Sequence, residues 1–440
     1  MFRTNFTRHA SGAPAHYRRG LYGLAILVCL GLVGAGVFYV WPKPLMTLPE
    51  FSYYPPDVVP GLTYLNVQNS TLPLSLHVVR MDRHQPELAL RVLHSRSQVQ
   101  GVATMSNMIR KLDPLLGRPL AAINGDFFDR DKPYAGDPRG LEVVDGEVTS
   151  APGAYVSIWF TTNGQVFATN VTALFQVIWP DGSVTPFGLN ERRQSNGLAL
   201  YAPRFGKSTG TTNGLELVLE MEEDETRWPP LRLGASYRAR VTAITTNNTP
   251  LAKERVVLSI GPALLGKVPL VATGAVLRLN LATTPDLTDV PMAIAGGPIL
   301  VRDHKAQRIR KPTHEEAPTE WAARVAVERH PRTAIGWNDN YFFLVEVDGR
   351  QLKAHLSEGM TLAELAAYMV KLGCHVAVNL DGGGSATFWL DGHTVSKPCD
   401  KQERDIANAL VVFSQLQPVA EVLDTNAPPD ELNDATGVQR

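Results

Sequence analysis

The stretch Val376-Ala377-Val378-Asn379-Leu380-Asp381-Gly382-Gly383-Gly384-Ser385 passes abruptly from a mainly apolar run to an acid and three consecutive glycines. An apolar run this short suits a strand buried on both faces, ending where Asp381 opens a loop. Just upstream, Thr361 and Glu364 have the spacing of a capping box, and Leu362, Leu365, Ala366, Met369 and Leu372 then share one helical face. Gly373 is the expected stop of that helix. Before it, Tyr341 to Val347 reads as a strand that ends at the turn dipeptide Asp348-Gly349. The C-terminal part therefore alternates strand and helix.

Further out the pattern changes. Tyr155 to Leu281 holds short strand-like runs, among them Val156 to Phe160, Leu174 to Trp179, Leu215 to Met221 and Ala275 to Leu281. Asn163-Gly164, Asp181-Gly182 and Asn213-Gly214 separate them as hairpin or turn signals. Leu74 to Arg80 and Leu88 to His94 read as a further pair of strands, whereas Val102, Met105, Met108, Ile109 and Leu112 have helical spacing. No fixed internal period points to a solenoid or propeller. The expectation is an α+β domain over 62–415, with a mixed β-sheet core, β-hairpins and a few helices.

Composition narrows the possible partners. A chain of 440 residues with a formal charge of −1 lacks the basic footprint of a nucleic-acid binder. Leu21 to Trp41 contains no charged residue and is long enough to cross a bilayer as a helix. Arg3, Arg8, Arg18 and Arg19 precede it and only Lys43 follows closely, so the positive-inside rule predicts a cytoplasmic segment 1–20 and an anchor 21–41. A cleaved signal peptide is the alternative; the run is long for one, and Ala35-Gly36 is a poor cleavage site. The proline-rich and aromatic stretch 42–61 reads as a linker, and the acidic segment 416–440 as a disordered tail. The domain is thus expected in the periplasm or outside the cell, tethered to the membrane. Cys374 and Cys399 would lie in an oxidising compartment, and a disulfide between them is expected, closing a loop of about 25 residues and stabilising by roughly 3 kcal/mol; two free buried thiols are the alternative.

Four segments place polar groups beside glycine or at the end of an apolar run: Asn124-Gly125-Asp126-Phe127-Phe128, Gly296-Gly297-Pro298, His330-Pro331-Arg332-Thr333-Ala334-Ile335-Gly336, and Asn379 to Ser385. Loops at strand ends are where a rigid scaffold presents reactive groups. Glycines there let backbone approach a ligand, and successive N–H groups form an anion-binding nest. Each segment alone is an ordinary turn. In this order they resemble the signature of the phosphodiester glycosidase family. The likeness includes Asn379 to Phe388, Asn-Leu-Asp-Gly-Gly-Gly-Ser-Ala-Thr-Phe, which is similar to the family's animal member. It also includes Glu403-Arg404-Asp405-Ile406-Ala407-Asn408-Ala409, similar to the closing strand of bacterial members.

The resemblance implies hydrolysis of the bond between an anomeric carbon and a phosphodiester, with a sugar phosphate as substrate and no required cofactor. A phosphomonoester leaves readily, so the chemistry needs anion binding and water activation more than a strong acid. On that reading Arg332 clamps phosphate through its planar guanidinium, and Asp381 orients water or stabilises the cationic centre. Asn124 and Ser385 hydrogen-bond sugar or phosphate, while Gly297, Thr333, Gly382, Gly383 and Gly384 line the substrate. Asp126 stands where many members have a second glycine, and it either tolerates an unusual backbone or adds a carboxylate. No His-Glu-x-x-His or zinc-ligand spacing is present, although Asp126, Asp129 or Asp381 leave room for Ca²⁺ or Mg²⁺. Two rival functions remain open: a non-catalytic carbohydrate-binding or envelope-assembly module, and an ordinary glycoside hydrolase using Asp126 and Asp381 as separated carboxyls.

Overall fold

Alternation builds most of the molecule. In the strand Ser236–Thr245, Tyr237, Ala239 and Val241 are buried while Arg238 and Arg240 face solvent, the pattern of a sheet with one wet face. The computed structural model describes residues 59–415 apart from 70–72, 97, 133, 223–227, 229, 311–324 and 352–355. The expected cytoplasmic segment, the anchor at 21–41, most of the linker and the tail lie outside the described residues. Among the described residues no helix is long and apolar enough to cross a membrane.

The fold is sheet-rich α+β. Among the described residues its sheets have seven, eight, five and five strands. The eight-stranded sheet uses strands from between Thr172 and Thr284 and closes over Trp179, Trp228, Phe175 and Tyr237. The seven-stranded sheet runs in the order Leu62–Asn69, Leu74–Asp82, Tyr341–Val347, Arg332–Trp337, Val376–Asn379, Ile299–Arg302, Lys305–Ala306. One five-stranded sheet includes Glu142–Val144, Met292–Gly296 and Val156–Phe160; the other includes Phe388–Leu390, Arg118–Asn124, Asn408–Ser414 and Leu88–His94. A shared core containing Val79, Ile123, Ile294, Ile335, Val378 and Leu410 joins these last three sheets. Burying a leucine or isoleucine there is worth about 1.5–3 kcal/mol, so the strand ends that meet above this core are held firmly.

The expectation of a mixed sheet needs correction. Pairing is antiparallel throughout the described strands except where Gly188–Leu189 runs parallel to Ala199–Leu200. Val376–Asn379 is apolar because it is covered on both faces, and it pairs antiparallel with both its neighbours. The helix Leu362–Lys371 helps to cover this sheet, burying Leu362, Leu365, Ala366, Tyr368 and Met369. Thr361 caps it, accepting from the Glu364 N–H while Glu364 returns a bond to the Thr361 N–H. The earlier helix is shorter than the apolar spacing suggested, Met105–Arg110, with Thr104 as its cap.

The expected disulfide is absent. Cys374 and Cys399 are both free. The Cys374 sulfur packs in the core beside Gly336 and Met369, where burial pushes its thiol pKa up. Cys399 is half-buried instead and donates to the Asp400 carboxylate at 3.5 Å. Their environments are different, one deep in the core and one half-buried.

Candidate active site

Asn124 is the joint of the site. It ends the strand Arg118–Asn124 and is 1% exposed, so its amide must find partners within the protein. Its Nδ2 donates to the Asp381 carbonyl at 2.6 Å. Its Oδ1 accepts from the Thr333 hydroxyl at 2.6 Å and from the Thr387 N–H at 3.1 Å. Three of the four segments are thereby tied through one side chain. Gly297 joins them by backbone, its N–H donating to the Asn379 carbonyl at 2.6 Å and its own carbonyl accepting from Asn379 Nδ2 at 2.9 Å. Gly125 permits a close approach: a Cβ there would lie 2.2 Å from Asn408 Oδ1. Asn124 and Asn379 act as positioning groups, since their contacts are with the protein's own backbone and side chains.

Asp126 does not occupy a left-handed backbone position. The carboxylate is therefore its contribution. Its N–H donates to Asn408 Oδ1 at 2.8 Å, and its Oδ1 accepts from the Phe127 N–H at 2.6 Å. Oδ2 is buried without a partner. Burial, together with the neighbouring carboxylates Glu142 and Asp381, holds the Asp126 pKa well above the usual range. Behind it, Asn408 Nδ2 donates to Glu142 Oε1 at 2.7 Å and the Thr149 hydroxyl donates to Glu142 Oε2 at 2.9 Å. His94 Nε2 lies 3.1 Å from that same oxygen. Burial pushes the His94 pKa down, against the attraction of Glu142.

Asp381 is half-buried at the mouth of the glycine loop. Burial raises its pKa to about 6, against the Ser385 hydroxyl, the Gly382 N–H and the arginines Arg404 and Arg130. Oδ1 accepts the Gly382 N–H at 2.9 Å. Gly383 has φ +63, a left-handed turn that favours glycine. Gly384 is covered by the Arg404 guanidinium, so of the three glycines it is the one turned inward. Phe127 stacks on Tyr155 with ring centroids 4.9 Å apart, and Tyr155 borders the open side of Gly297. Such a face suits the C–H side of a sugar ring.

Arg332 departs from its expected role. Along a strand successive side chains alternate in direction. Thr333 points to Asn124, so Arg332 must point the other way. Its Nε donates to the Met360 carbonyl at 2.8 Å, and Nη2 to the carbonyls of Val325 and Glu328 at 2.7 and 2.8 Å. The guanidinium is 3% exposed, and burial lowers its pKa to about 10. It fastens a loop and clamps no phosphate. The cations that do reach the glycine loop are Arg350, 3.3 Å from the place of a Cβ on Gly383, and Arg404, which also binds Asp400. An open cleft lined by Thr104, Ser106, Asp400, Glu403 and Arg404 adjoins this side of the loop.

The comparison with known proteins follows the same residues. Residues 234–413 match the phosphodiester glycosidase family. Within that stretch fall Gly297, Thr333, Asp381, the glycine loop and Asn408; Asn124, Asp126 and Glu142 lie before it and are brought in by the fold. The chain is 41% identical over 70 residues to N-acetylglucosamine-1-phosphodiester alpha-N-acetylglucosaminidase of Bos taurus, covering 16% of this chain and 12% of that relative. It is 34% identical over 85 residues to an uncharacterized prophage-derived protein, YomE, of Bacillus subtilis (strain 168), covering 19% of this chain and 13% of the relative. The chain thus aligns with about one-eighth of each curated relative's length. A hypothetical protein from Synechocystis shares the fold, with TM-score 0.62 and 21% identity, covering 80% of this chain and 62% of that one.

His94, Tyr155 and Arg350 went unread in the sequence. A lone histidine, a tyrosine after an alanine and an arginine after a turn carry no spacing signal. Asp129 is hydrogen-bonded within its own turn, accepting from the Asp131 N–H at 2.9 Å.

Proposed function

We propose that this chain hydrolyses a sugar-1-phosphodiester. The observation that carries the reading is the convergence at Asn124, which brings two carboxyls in unlike surroundings, the buried Asp126 and the half-buried Asp381, beside a glycine loop and two arginines. Pairs of titratable groups pushed apart in pKa divide acid from base. Near neutral pH Asp381 is mainly ionised and orients water or stabilises the positive charge that grows on the anomeric carbon. Asp126, whose pKa burial holds well above the usual range, presents an oxygen without a partner. Water adds to the anomeric carbon and gives a proton to the Asp381 carboxylate, which passes it to solvent; the C–O bond to phosphate breaks, and its electron pair leaves on the phosphate oxygen. The products are a free sugar and a phosphomonoester. Arg350 and Arg404, with the N–H groups of the glycine loop, hold the phosphate charge as it develops. The Phe127–Tyr155 pair offers the sugar a flat apolar face.

The site lies in an extracytoplasmic domain tethered at its N-terminus, a placement supported by the charge asymmetry around 21–41. The substrate is then a surface glycoconjugate or an envelope polymer. A reporter fused after Trp41 should be active only outside the cytoplasm; activity inside overturns the placement.

The reaction is tested by offering the purified chain a sugar-1-phosphodiester and the matching alkyl glycoside. Sugar and phosphomonoester should appear from the first alone. Equal cleavage of the alkyl glycoside would make the chain an ordinary glycoside hydrolase, and sugar binding without turnover of either would make it a binding module.

A further inference from the structure

Behind the site, one strand further into the seven-stranded sheet, lies a second group of buried polar side chains that the proposed reaction does not use. His77, Glu346 and Asp348 are 4%, 1% and 1% exposed, and one ligand-type atom from each lies within 4.8 Å of the others. Sequence gives no hint of the group, because strand pairing creates it. His77 is the antiparallel partner of Glu346, and Glu346 is in turn the partner of Thr333. Asp348 follows directly after that strand.

Two features separate the cluster from an ordinary buried hydrogen-bond network. His77 Nε2 and Glu346 Oε2 are buried with no hydrogen-bond partner, and both belong to the group. Native proteins rarely leave such atoms unmatched, since each carries a desolvation cost. Two carboxyl groups also share this dry space, and among the described residues no lysine or arginine forms an ion pair with either. A positive charge between them would relieve both conditions at once.

The spacing suits an ion better than a direct bond. His77 Nε2 lies 3.6 Å from Asp348 Oδ2, too far for a hydrogen bond. Bonds of about 2.0–2.2 Å to a tetrahedral ion put neighbouring ligand atoms about 3.3–3.6 Å apart. The outer contacts are those that orient metal ligands. Tyr64 Oη lies 2.7 Å from His77 Nδ1, leaving Nε2 to face the carboxylates. The Ser75 hydroxyl donates to Asp348 Oδ2 at 2.7 Å, and the Lys397 N–H donates to Oδ1 at 2.6 Å. One contact favours the rival arrangement: Asn66 Nδ2, 3.1 Å from Nδ1, would donate to it and leave the ring hydrogen on Nε2. That tautomer would point its hydrogen at a carboxylate it does not reach.

We infer that His77 Nε2, Glu346 and Asp348 Oδ2 bind a divalent first-row transition ion such as Zn²⁺ or Mn²⁺, as a structural pin behind the substrate site. A nitrogen and two carboxylates are a donor set these ions accept. The ion has no solvent-exposed ligand to offer chemistry. It locks the Leu74–Asp82 strand to Tyr341–Val347, and through Thr333 it steadies the Asn124 joint.

The full-length protein, purified without chelator, is assayed for bound metal by mass spectrometry, then stripped and titrated with Zn²⁺ and with Mn²⁺ while its melting temperature is followed. One of these ions should bind stoichiometrically and raise the melting temperature. Glu346→Gln, nearly the same shape, should weaken binding about 100-fold or more and abolish the thermal shift. His375→Ala, which removes an exposed histidine, should leave both unchanged. Wild-type protein that is metal-free as purified and binds neither ion overturns the inference. So does Glu346→Gln binding as tightly as wild type. Neither readout depends on catalysis, so the reaction can fail its assay while the ion site stands, and the reverse.

Discussion

Glu216 and Asp126 are both buried carboxyls at 0% and 2% exposure, yet their pKa values move in opposite directions. Glu216, in the eight-stranded sheet, accepts from the hydroxyls of Thr209, Thr211 and Thr249 and from the Thr249 N–H. Burial alone would raise its pKa, but these donors together bring it below the usual value. Asp126 receives one N–H on Oδ1 and nothing on Oδ2, so burial prevails. Hydrogen-bond supply therefore separates a carboxylate that stabilises the fold from a carboxyl whose pKa burial raises and whose second oxygen is left without a partner.

Asp381→Asn should give the largest effect, lowering kcat by about 10²–10⁴-fold with little change in melting temperature. The acid limb of the pH profile, near pH 6 from the Asp381 pKa, should vanish with it. A variant with near-normal turnover would place Asp381 with Glu216 among structural groups. Glu216→Ala should do the reverse, costing about 3 kcal/mol of stability in denaturant titrations by stranding its donors. Its depressed pKa makes the wild-type contribution full above the usual glutamate range and lost as pH falls through the folded value. Turnover of folded Glu216→Ala should be unchanged.

Arg332→Lys sharpens the comparison from the side of the cations. Losing directed bonds to Met360, Val325 and Glu328 should cost about 1–2 kcal/mol by thermal melts, with the KM for a phosphodiester unaltered. A raised KM for phosphodiesters alone would restore the clamp role. Asp126→Asn should have the smallest effect on stability, with the opposite sign. A raised folded pKa means that stability is lost as pH rises from about 4, the unfolded value, through the folded one. The variant should therefore gain on wild type at neutral pH and match it below about pH 4. Its turnover should fall less than that of Asp381→Asn, because phosphate departs with little acid help.

These contrasts also mark how far sequence carries. The capping box, the strand before Asp381 and the four glycine-bearing or polar segments were legible because each is local, written in neighbouring residues with a set spacing. Side-chain direction at Arg332 and Thr333 was legible only in part: alternation says that one of the pair faces away from the site, but not which. Antiparallel pairing of Val376–Asn379 was hidden, since an apolar run reports burial and says nothing of the neighbours' direction. The partners of Glu216 and Asp126 were hidden for the same reason. Thr249 and Asn408 lie 33 and 282 residues away from them.

The strand Asn408–Ser414 lies between Arg118–Asn124 and Leu88–His94, and its first residue holds both Asp126 and Glu142. Nearly the whole domain must leave the ribosome before this strand can slide into its slot. A polypeptide interrupted between Ser385 and Asn408 has the glycine loop and both carboxyls but lacks the residue that holds Asp126 and Glu142. The frame of the site thus arrives late in biosynthesis and all at once.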